Sequence, residues 1–149
     1  MGGTTLILPE VSPDGLYVVC PDQESPLRGN LRVMRVEDGK EAFRTAVLGT
    51  RKTVATLGRS RWTADGRHLI FTGQNEKGID GVFIQDFEPG KDTRATRKPL
   101  AGFDPDWVTE SLGLSPDGSK LVISESERMF SILVAEGIRG LPAQRKGLK

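Results

Sequence analysis

Several kinds of residue that carry chemistry are scarce in this sequence. Cys20 is the only cysteine, so no disulfide can form within the chain and no cysteine cluster can bind a metal. His68 is the only histidine, and no Gly-x-Ser-x-Gly motif accompanies it, so a catalytic triad has no support. We expect Cys20 to be buried as a small hydrophobe and His68 to lie at the surface. Asp104 and Asp106 are spaced like calcium ligands, but the rest of a calcium loop is missing, so we expect a turn there, and no metal or cofactor.

Charge bias and long apolar runs are also missing. Lys and Arg total 21 against 20 for Asp and Glu, which leaves a formal net charge of +1. Such a balance gives no general attraction to nucleic acid or to an anionic membrane surface. No stretch reaches the roughly 20 apolar residues of a membrane helix, and the first residues lack the basic segment of a signal peptide. We therefore predict no nucleic-acid partner and no membrane insertion; the compartment is unknown, with the cytoplasm as the default.

What the sequence does contain is a repeated turn motif. The stretches VSPDGLYVVC, WTADGRHLIFT and LGLSPDGSKLVIS align on an Asp-Gly pair, and their aspartates are 51 and 52 residues apart (65 − 14 and 117 − 65). Proline presets a type I turn, and glycine takes the left-handed conformation that closes a hairpin. Apolar residues follow at the third to fifth positions after each glycine. The residues assigned to the three turns are Ser12, Pro13, Asp14 and Gly15, then Thr63, Asp65 and Gly66 (with Ala64 in place of proline), and Ser115, Pro116, Asp117 and Gly118.

A second repeated segment extends the repeat beyond the turns. LRVMRVEDGKE aligns with VFIQDFEPGKD at an offset of 51 (82 − 31), and in both a strand ends in a Glu-x-Gly-Lys turn. Each unit therefore reads as four short antiparallel strands in about 50 residues. We expect strands at about residues 6–11, 16–20, 31–36 and 43–48, then 60–63, 68–72, 82–87 and 93–99, and finally 110–114, 120–124 and 129–135.

These units predict an all-β fold of three four-stranded antiparallel β-propeller blades, the last incomplete. The approximate blades are 4–52, 53–104 and 105–140, and residues 141–149 form a basic tail that we expect to be solvated rather than to bind nucleic acid. Three blades cannot close a ring, because known propellers have about four to eight. Two explanations stay open. The chain is part of a longer propeller, or a homodimer closes a six-bladed ring.

The pattern apolar-SPDG-x-x-apolar-apolar-apolar, with a third strand that ends near Gly-Lys, resembles the WD-repeat-like blades of TolB-type β-propellers. The stretch GVFIQDFEPGKDTRATRKPLAGFDPDWVTESLGLSPDG is most similar to the propeller region of bacterial serine/threonine kinases. This resemblance implies a bacterial, non-catalytic module for protein–protein interaction or sensing within a larger kinase-linked or TolB-like protein. The alternative that it implies is the gating propeller portion of a prolyl-oligopeptidase-type peptidase whose catalytic domain is absent here. In both cases the chain itself is expected not to be an enzyme.

Four residues are candidates for contact with a protein or peptide partner. Arg59 and Arg61 flank Ser60 on the predicted innermost strand of the second blade, where they could face the channel and meet an acidic peptide. The alternative is that they pair with acids on adjoining blades. Phe103 and Trp107 lie in the predicted loop between the second and third blades. Trp62, by contrast, is expected in the core between blades.

Overall fold

The fold is all-β, as the sequence predicts. The computed structural model describes residues 9–25, 28–47 and 59–127, with the backbone alone at 22–25 and 28. The predicted strand at 129–135 and the basic tail at 141–149 lie outside the described residues. Within the part that is described, no helix is long and apolar enough to cross a membrane. The elements are β1 (Glu10–Val11), β2 (Tyr17–Ser25), β3 (Arg28–Arg35), β4 (Glu41–Ala46), β5 (Ser60–Trp62), β6 (His68–Gln74), β7 (Asp80–Asp86), a 3-10 turn (Arg94–Thr96), β8 (Lys98–Gly102), β9 (Trp107–Leu114) and β10 (Leu121–Glu127).

The strands form three antiparallel sheets in which each strand pairs with the next along the chain. Sheet 1 contains β1 to β4, sheet 2 contains β5 to β8, and sheet 3 contains β9 and β10. The first strands of the sheets lie side by side, because β5 contacts both β1 and β9. This region, formed by β1, β5 and β9, is called the inner edge below. The three sheets do not close into a barrel or a ring within the described residues, so the blade arrangement stays a prediction.

The turn between β1 and β2 shows how the repeated motif folds. The backbone N–H of Gly15 donates to the carbonyl of Ser12 (2.9 Å), and the Ser12 hydroxyl donates to Asp14 Oδ1 (2.5 Å). The same hydroxyl oxygen accepts from the N–H of Tyr17 (2.9 Å), while Asp14 Oδ1 accepts from the N–H of Leu16 (3.0 Å). Gly15 has a φ of 75°, a left-handed conformation that glycine adopts without a steric clash. Corresponding bonds form in the second and third turns, where the glycines have φ of 67° and 69°.

These bonds favour the ionised form of the aspartate in each turn. The hydroxyl of the first turn residue is the largest influence that lowers the aspartate pKa, and the N–H two residues after the aspartate comes next. For Asp117 the pKa falls to about 2. The second turn also packs on the first, since a Cβ at Gly66 would lie 3.6 Å from Cδ of Pro13. The motif therefore stabilises each hairpin and brings the first two turns together.

Sheet 2 is the middle layer, and both faces of its central strands β6 and β7 are largely buried. One face packs on sheet 1 through an apolar cluster composed of Val19, Leu31, Val33, Phe43, Val47, Trp62, Leu69, Phe71, Phe83 and Phe87. On the other face, Ile70 and Val82 pack on Leu112 of sheet 3. This explains the sequence HLIFTGQ of β6, in which six consecutive residues are buried. A strand that is covered on both faces does not need alternating polar residues.

One strand differs in position from its prediction. The sequence predicts a strand that begins at Thr93, but Arg94–Thr96 form a 3-10 turn and β8 begins at Lys98. The Thr93 hydroxyl donates to the carbonyl of Asp86, and Thr96 Oγ1 accepts from the N–H of Asp86 (3.0 Å). Side-chain bonds to the backbone compete with extended structure, so the chain turns before the strand starts.

Candidate functional site

The inner edge holds a carboxylate that links two sheets. Glu10 lies in β1, and Trp62 of β5 packs against it. Glu10 Oε2 accepts from the backbone N–H of Trp62, and the Glu10 carbonyl accepts from the indole Nε1–H, both at 3.2 Å. These residues are 52 positions apart in the chain. The first strands of sheets 1 and 2 are therefore joined by hydrogen bonds to both the side chain and the backbone of Glu10.

The setting of Glu10 changes its acidity. Burial raises the pKa of the Glu10 carboxyl above its ordinary value of 4.5. The positive charge of Arg61 and the N–H of Trp62 lower this pKa, but the effect of burial is larger. The residue is half-buried, so part of its surface still meets solvent. A carboxyl group of this kind is a stronger base than an exposed one, which suits it to general acid–base chemistry.

The two arginines that were predicted to contact a partner take different positions. Arg61 is half-buried, and its Nη1 donates to the carbonyl of Ser60 (2.8 Å), which brings the guanidinium to the inner edge near Glu10. Arg59 is exposed, and its backbone exchanges hydrogen bonds with the side chain and the N–H of Thr72 (3.2 and 2.9 Å). Arg61 is thus close to an acid of the adjoining sheet. Partner binding by either arginine stays a prediction.

Sequence reasoning did not single out Glu10, although the repeat contains a signal for it. The position two residues before each turn motif is Glu10, Arg61 and Gly113 in the three units. A residue that the structure of each unit required would be of the same type in all three units, whereas this position carries a carboxylate, a guanidinium and no side chain. The first two of these residues lie close enough for the charge of Arg61 to affect the pKa of Glu10. A comparison of charge at equivalent positions of the units would have found the pair.

The two aromatic residues that were predicted to contact a partner also differ in position. The Phe103 ring is half-buried, packs edge-on against Phe83 (centroids 4.9 Å apart), and fills the space that a Cβ at Gly81 would need. Phe103 has a φ of 67°, which is rare for a bulky residue, and this packing fixes it there. Trp107, the first residue of β9, is 42% exposed. Of the two, Trp107 has the more accessible ring, and a role for either in partner binding stays a prediction.

The single histidine is partly exposed at the start of β6. His68 Nδ1 lies 3.6 Å from Asp65 Oδ1, and Nε2 lies 3.4 Å from Asp86 Oδ1. Asp65 belongs to the second turn, and its Oδ1 already accepts from the Thr63 hydroxyl (2.6 Å). His68 therefore helps to join the turn to the end of β7.

The remaining candidates from the sequence have structural surroundings. Cys20 is half-buried in β2, so its side chain is less buried than the sequence predicts. Asp104 Oδ1 accepts from the N–H of Asp106 (2.9 Å), which forms a turn just before β9. Among the described residues, no three His, Cys, Asp or Glu side chains are grouped so that they could hold a metal ion.

No protein-family model matches this chain, and no curated protein matches it in sequence. Several solved structures resemble it, among them two from Bacteroides. A protein from Bacteroides uniformis named as a candidate 6-phosphogluconolactonase is 18% identical with a TM-score of 0.51, over 87% of this chain and 38% of that protein. A protein from Bacteroides fragilis with the same name is 20% identical with a TM-score of 0.49, over 83% of this chain and 33% of that one. This chain therefore spans well under half the length of the structures it resembles.

These comparisons correct the family that was predicted from the turn motif. The Bacteroides uniformis structure carries a lactonase name, and it supports neither TolB-type or WD-repeat-like blades nor a link to bacterial kinases. The predicted resemblance is therefore wrong. Its physical basis was a turn that closes a hairpin well wherever one is needed, so the motif identifies a local structure and not a family.

The predicted function is corrected on the same ground. The non-catalytic module for interaction or sensing, and its alternative as the gating portion of a peptidase, both depended on the family that is now excluded. The expectation that the chain is not an enzyme is corrected as well, because the Bacteroides uniformis structure that it resembles is named as a candidate lactonase. That expectation came from a search of the sequence for triads and metal clusters. A single carboxylate whose acidity is changed by burial, such as Glu10, escapes a search of that kind.

Proposed function

We propose that this chain is part of a hydrolase that opens the lactone ring of a phosphorylated sugar acid. The observation that carries the proposal is the pair at the inner edge, where the half-buried Glu10 carboxyl with its raised pKa lies near the guanidinium of Arg61. The substrate class comes from the name of the structural neighbour, 6-phosphogluconolactonase. The likeness covers 38% of that neighbour, and we propose that Glu10 and Arg61 by themselves supply the base and the positive charge of the site.

Hydrolysis of a lactone needs a base, and Glu10 is suited to that role. The ionised carboxylate takes a proton from a water molecule, whose oxygen then bonds to the lactone carbonyl carbon. The tetrahedral intermediate collapses as the ring C–O bond breaks, and the proton passes from Glu10 to the leaving ring oxygen, which becomes a hydroxyl. The product is an open-chain acid that releases one proton to solvent. A raised pKa helps the first step because it makes the carboxylate a stronger base.

Arg61 supplies positive charge where an anionic substrate and its transition state need it. A guanidinium group binds phosphate or carboxylate through two parallel hydrogen bonds. It also stabilises the negative charge that develops on the carbonyl oxygen. Arg61 lowers the pKa of Glu10 as well, which favours the ionised carboxylate that acts as the base.

We also propose that the three sheets are consecutive propeller blades, with boundaries near 4–52, 53–104 and 105–140. Support comes from the first strands, which meet at the inner edge, and from the near-constant interval of the turns. In a propeller the inner edge lines a central channel, which would give a substrate access to Glu10. Further blades in a longer protein and a second copy of this chain are alternative ways to complete the ring. The molar mass of the purified chain decides between them, because a dimer supports the second copy and a monomer excludes it.

The test is hydrolysis of 6-phosphogluconolactone by the purified chain, followed as proton release and corrected for spontaneous opening of the ring. Glu10→Gln keeps the size of the side chain and an oxygen for the N–H of Trp62, but the amide cannot take a proton. We expect its kcat to fall by about a hundredfold or more. The matched control is Glu37→Gln, which changes an exposed carboxylate in the turn after β3 and is expected to leave kcat unchanged.

A second variant tests the role of Arg61. Arg61→Gln removes the charge that lowers the pKa of Glu10, so the acidic limb of the kcat/KM profile should move to higher pH while KM rises. A wild-type chain with no activity above the spontaneous rate contradicts the proposal for this chain. So does a Glu10→Gln variant that is as active as the wild type.

A further inference from the structure

A cleft lies at the edge of sheet 1 that is formed by β4, on the opposite side of the sheet from β1. Its volume is about 390 Å³, and it is formed between β4 and the segment that connects β7 to β8. Because β4 is the last strand of sheet 1, its outer side is not covered by another strand of that sheet. A cleft of this volume is within the range that accommodates a small organic molecule.

Hydrogen bonds hold the two walls together at both ends of the cleft. The N–H of Gly90 donates to the carbonyl of Ala42 (2.7 Å), near the start of β4. Arg97 Nη2 donates to the carbonyl of Ala46 (2.7 Å) and to Thr45 Oγ1 (2.8 Å), at the end of the strand. Both donors come from the segment between β7 and β8, and both carbonyls come from β4. The width of the cleft is therefore fixed before any ligand arrives, which lowers the entropic cost of binding.

Cationic side chains line both walls. Arg44 comes from β4, whereas Lys91 and Arg94 come from the segment between β7 and β8. Arg44 Nη2 lies 2.9 Å from Glu41 Oε2 on the same strand, and Arg94 Nη2 lies 2.6 Å from Asp92 Oδ2 two residues earlier. The side chains in these pairs are at least one-third exposed. Both pairs are bidentate, since Nε of Arg44 also donates to Glu41 Oε1 (3.1 Å) and Nε of Arg94 to Asp92 Oδ1 (3.1 Å), but water and salt still screen them at the surface.

Positive charge is crowded on the wall that belongs to sheet 2. The guanidinium of Arg97 stacks over the Phe71 ring, 5.0 Å from its centroid. Burial lowers the pKa of Arg97, and the positive charge of Arg94 lowers it further, while Asp92 acts in the opposite direction. An anion in the cleft would offset this repulsion. A phosphate can displace the exposed carboxylates, since it offers each guanidinium the same two parallel hydrogen bonds and carries more charge than a carboxylate.

We propose that this cleft binds the phosphate group of a small molecule, with Arg44 on one wall and Arg94 on the other as hydrogen-bond donors. A phosphorylated sugar and free inorganic phosphate present the same group to these side chains. The proposal does not depend on hydrolysis at the inner edge, because Glu10 and Arg61 do not line the cleft.

An NMR titration of the chain with inorganic phosphate, at constant ionic strength, tests the site directly. Amide signals of residues 42–46 and 90–94 should shift with increasing phosphate and not with chloride. Arg44→Gln and Arg94→Gln should each weaken binding about tenfold or more. The matched control is Arg35→Gln, since Arg35 is also exposed and paired, with Asp38 at 3.3 Å in another turn. Equal weakening in the Arg35 variant, or no shift at the cleft in the wild type, contradicts the proposal.

Two further ligands separate recognition of the phosphate from recognition of the sugar. 6-Phosphogluconate should bind at least as tightly as inorganic phosphate, whereas gluconate should cause no shift at the cleft. Gluconate that binds as tightly as its phosphate ester contradicts a phosphate site. The Glu10→Gln variant should bind phosphate at the cleft as the wild type does. A failure of the hydrolase proposal would therefore leave this one intact, and the reverse is also true.

Discussion

Sheet 2 meets its two neighbours with different chemistry. On the side of sheet 1, Phe87 makes edge-to-face contacts with three rings, at centroid distances of 5.0, 5.6 and 4.9 Å, from Tyr17, Phe43 and Trp62. On the side of sheet 3 the centre of the contact is aliphatic and is formed by Ile70, Val82 and Leu112. The first interface therefore depends on the orientation of rings, and the second depends on burial alone.

The interface with sheet 1 also contains a buried polar seam. Gln85 is 1% exposed, and its Oε1 accepts from the Thr45 hydroxyl (3.3 Å) and from Arg97 Nε (2.9 Å). Its Nε2 donates to Thr93 Oγ1 (3.1 Å). Arg97 continues the seam to the carbonyl of Ala46. The seam therefore crosses from sheet 2 to sheet 1 and ends at the outer cleft.

The difference shows how one sheet can be joined firmly on one face and loosely on the other. Edge-to-face rings and hydrogen bonds stabilise one arrangement because both depend on direction. Aliphatic contacts tolerate small shifts as long as the volume is filled. Both candidate sites, the Glu10–Arg61 pair and the cleft, lie between sheets 1 and 2, where directional contacts fix the geometry. A site that must position a substrate gains from such rigid support.

Of the substitutions that test this difference, Phe87→Ala should have the largest effect on the free energy of unfolding. The change removes three edge-to-face contacts and leaves a cavity between sheets 1 and 2. We expect the free energy of unfolding to fall by about 3–5 kcal/mol, measured by denaturant titration with tryptophan fluorescence. Val36→Ala, at a position that is 55% exposed, is the control and should change stability by less than about 0.5 kcal/mol. A loss below about 1 kcal/mol for Phe87→Ala would show that the rings do not hold the interface.

Leu112→Ala makes the corresponding change on the other face. Leu112 is 5% exposed, and its partners Ile70 and Val82 are aliphatic. We expect a loss of about 2–3 kcal/mol, at the lower end of the usual range because aliphatic neighbours can close part of the cavity. The two substitutions lie on opposite faces of sheet 2, so the double variant should lose the sum of the single losses. A departure of more than about 0.5 kcal/mol would mean that the faces are coupled.

The sequence predicts the strands better than it predicts what joins the sheets. The apolar triplets after the turns lie in β2, β6 and β10, and the all-β class is confirmed. Each hairpin is determined by residues that are near one another in the chain, so a local pattern is enough to find it. The fourth strand of sheet 2 is misplaced because the hydroxyls of Thr93 and Thr96 bond to Asp86, and no apolar pattern reveals such bonds.

The candidate sites depend on contacts that no local pattern contains. Glu10 meets Trp62 and Arg97 meets Thr45, and in both pairs the residues are 52 positions apart. These contacts exist only after the sheets have packed. Burial of Glu10, which raises its pKa, is also a product of packing. The equal spacing of the units is what the sequence offers in advance, since it places Glu10 and Arg61 at equivalent positions of neighbouring strands.

Arg97→Lys tests the polar seam with a smaller change. Lysine keeps the charge but lacks the planar group that donates to Gln85, Thr45 and the carbonyl of Ala46 at once. We expect a loss of about 1–2 kcal/mol in the same denaturant assay. Arg94→Lys is the matched control, because Arg94 is exposed and lies three residues earlier. Equal losses in both variants would assign the effect to charge and not to the seam.

The smallest effects are expected from pH, and they have opposite signs at the inner edge and in the turns. Burial raises the pKa of Glu10, so the folded state holds its proton more tightly than the unfolded state does. The contribution of Glu10 to stability is therefore fully present below 4.5 and is lost as pH rises through the raised value. Asp117, with its pKa of about 2, contributes stability above 3.8 that is lost as pH falls toward 2.

Two amide variants separate these contributions when their denaturant midpoints are measured at several pH values. Glu10→Gln should gain stability relative to the wild type between about pH 4 and pH 7, because it removes the buried charge. Asp117→Asn should gain relative to the wild type only as pH falls from about 5 to about 2, where the wild type loses its ionised carboxylate. Glu37→Gln, at an exposed position, should follow the wild type throughout. If the difference in stability between Glu10→Gln and the wild type stays constant from about pH 4 to about pH 7, burial at the inner edge does not raise the pKa of the Glu10 carboxyl. The interface with sheet 1 would then lack the electrostatic property on which the proposed hydrolysis depends.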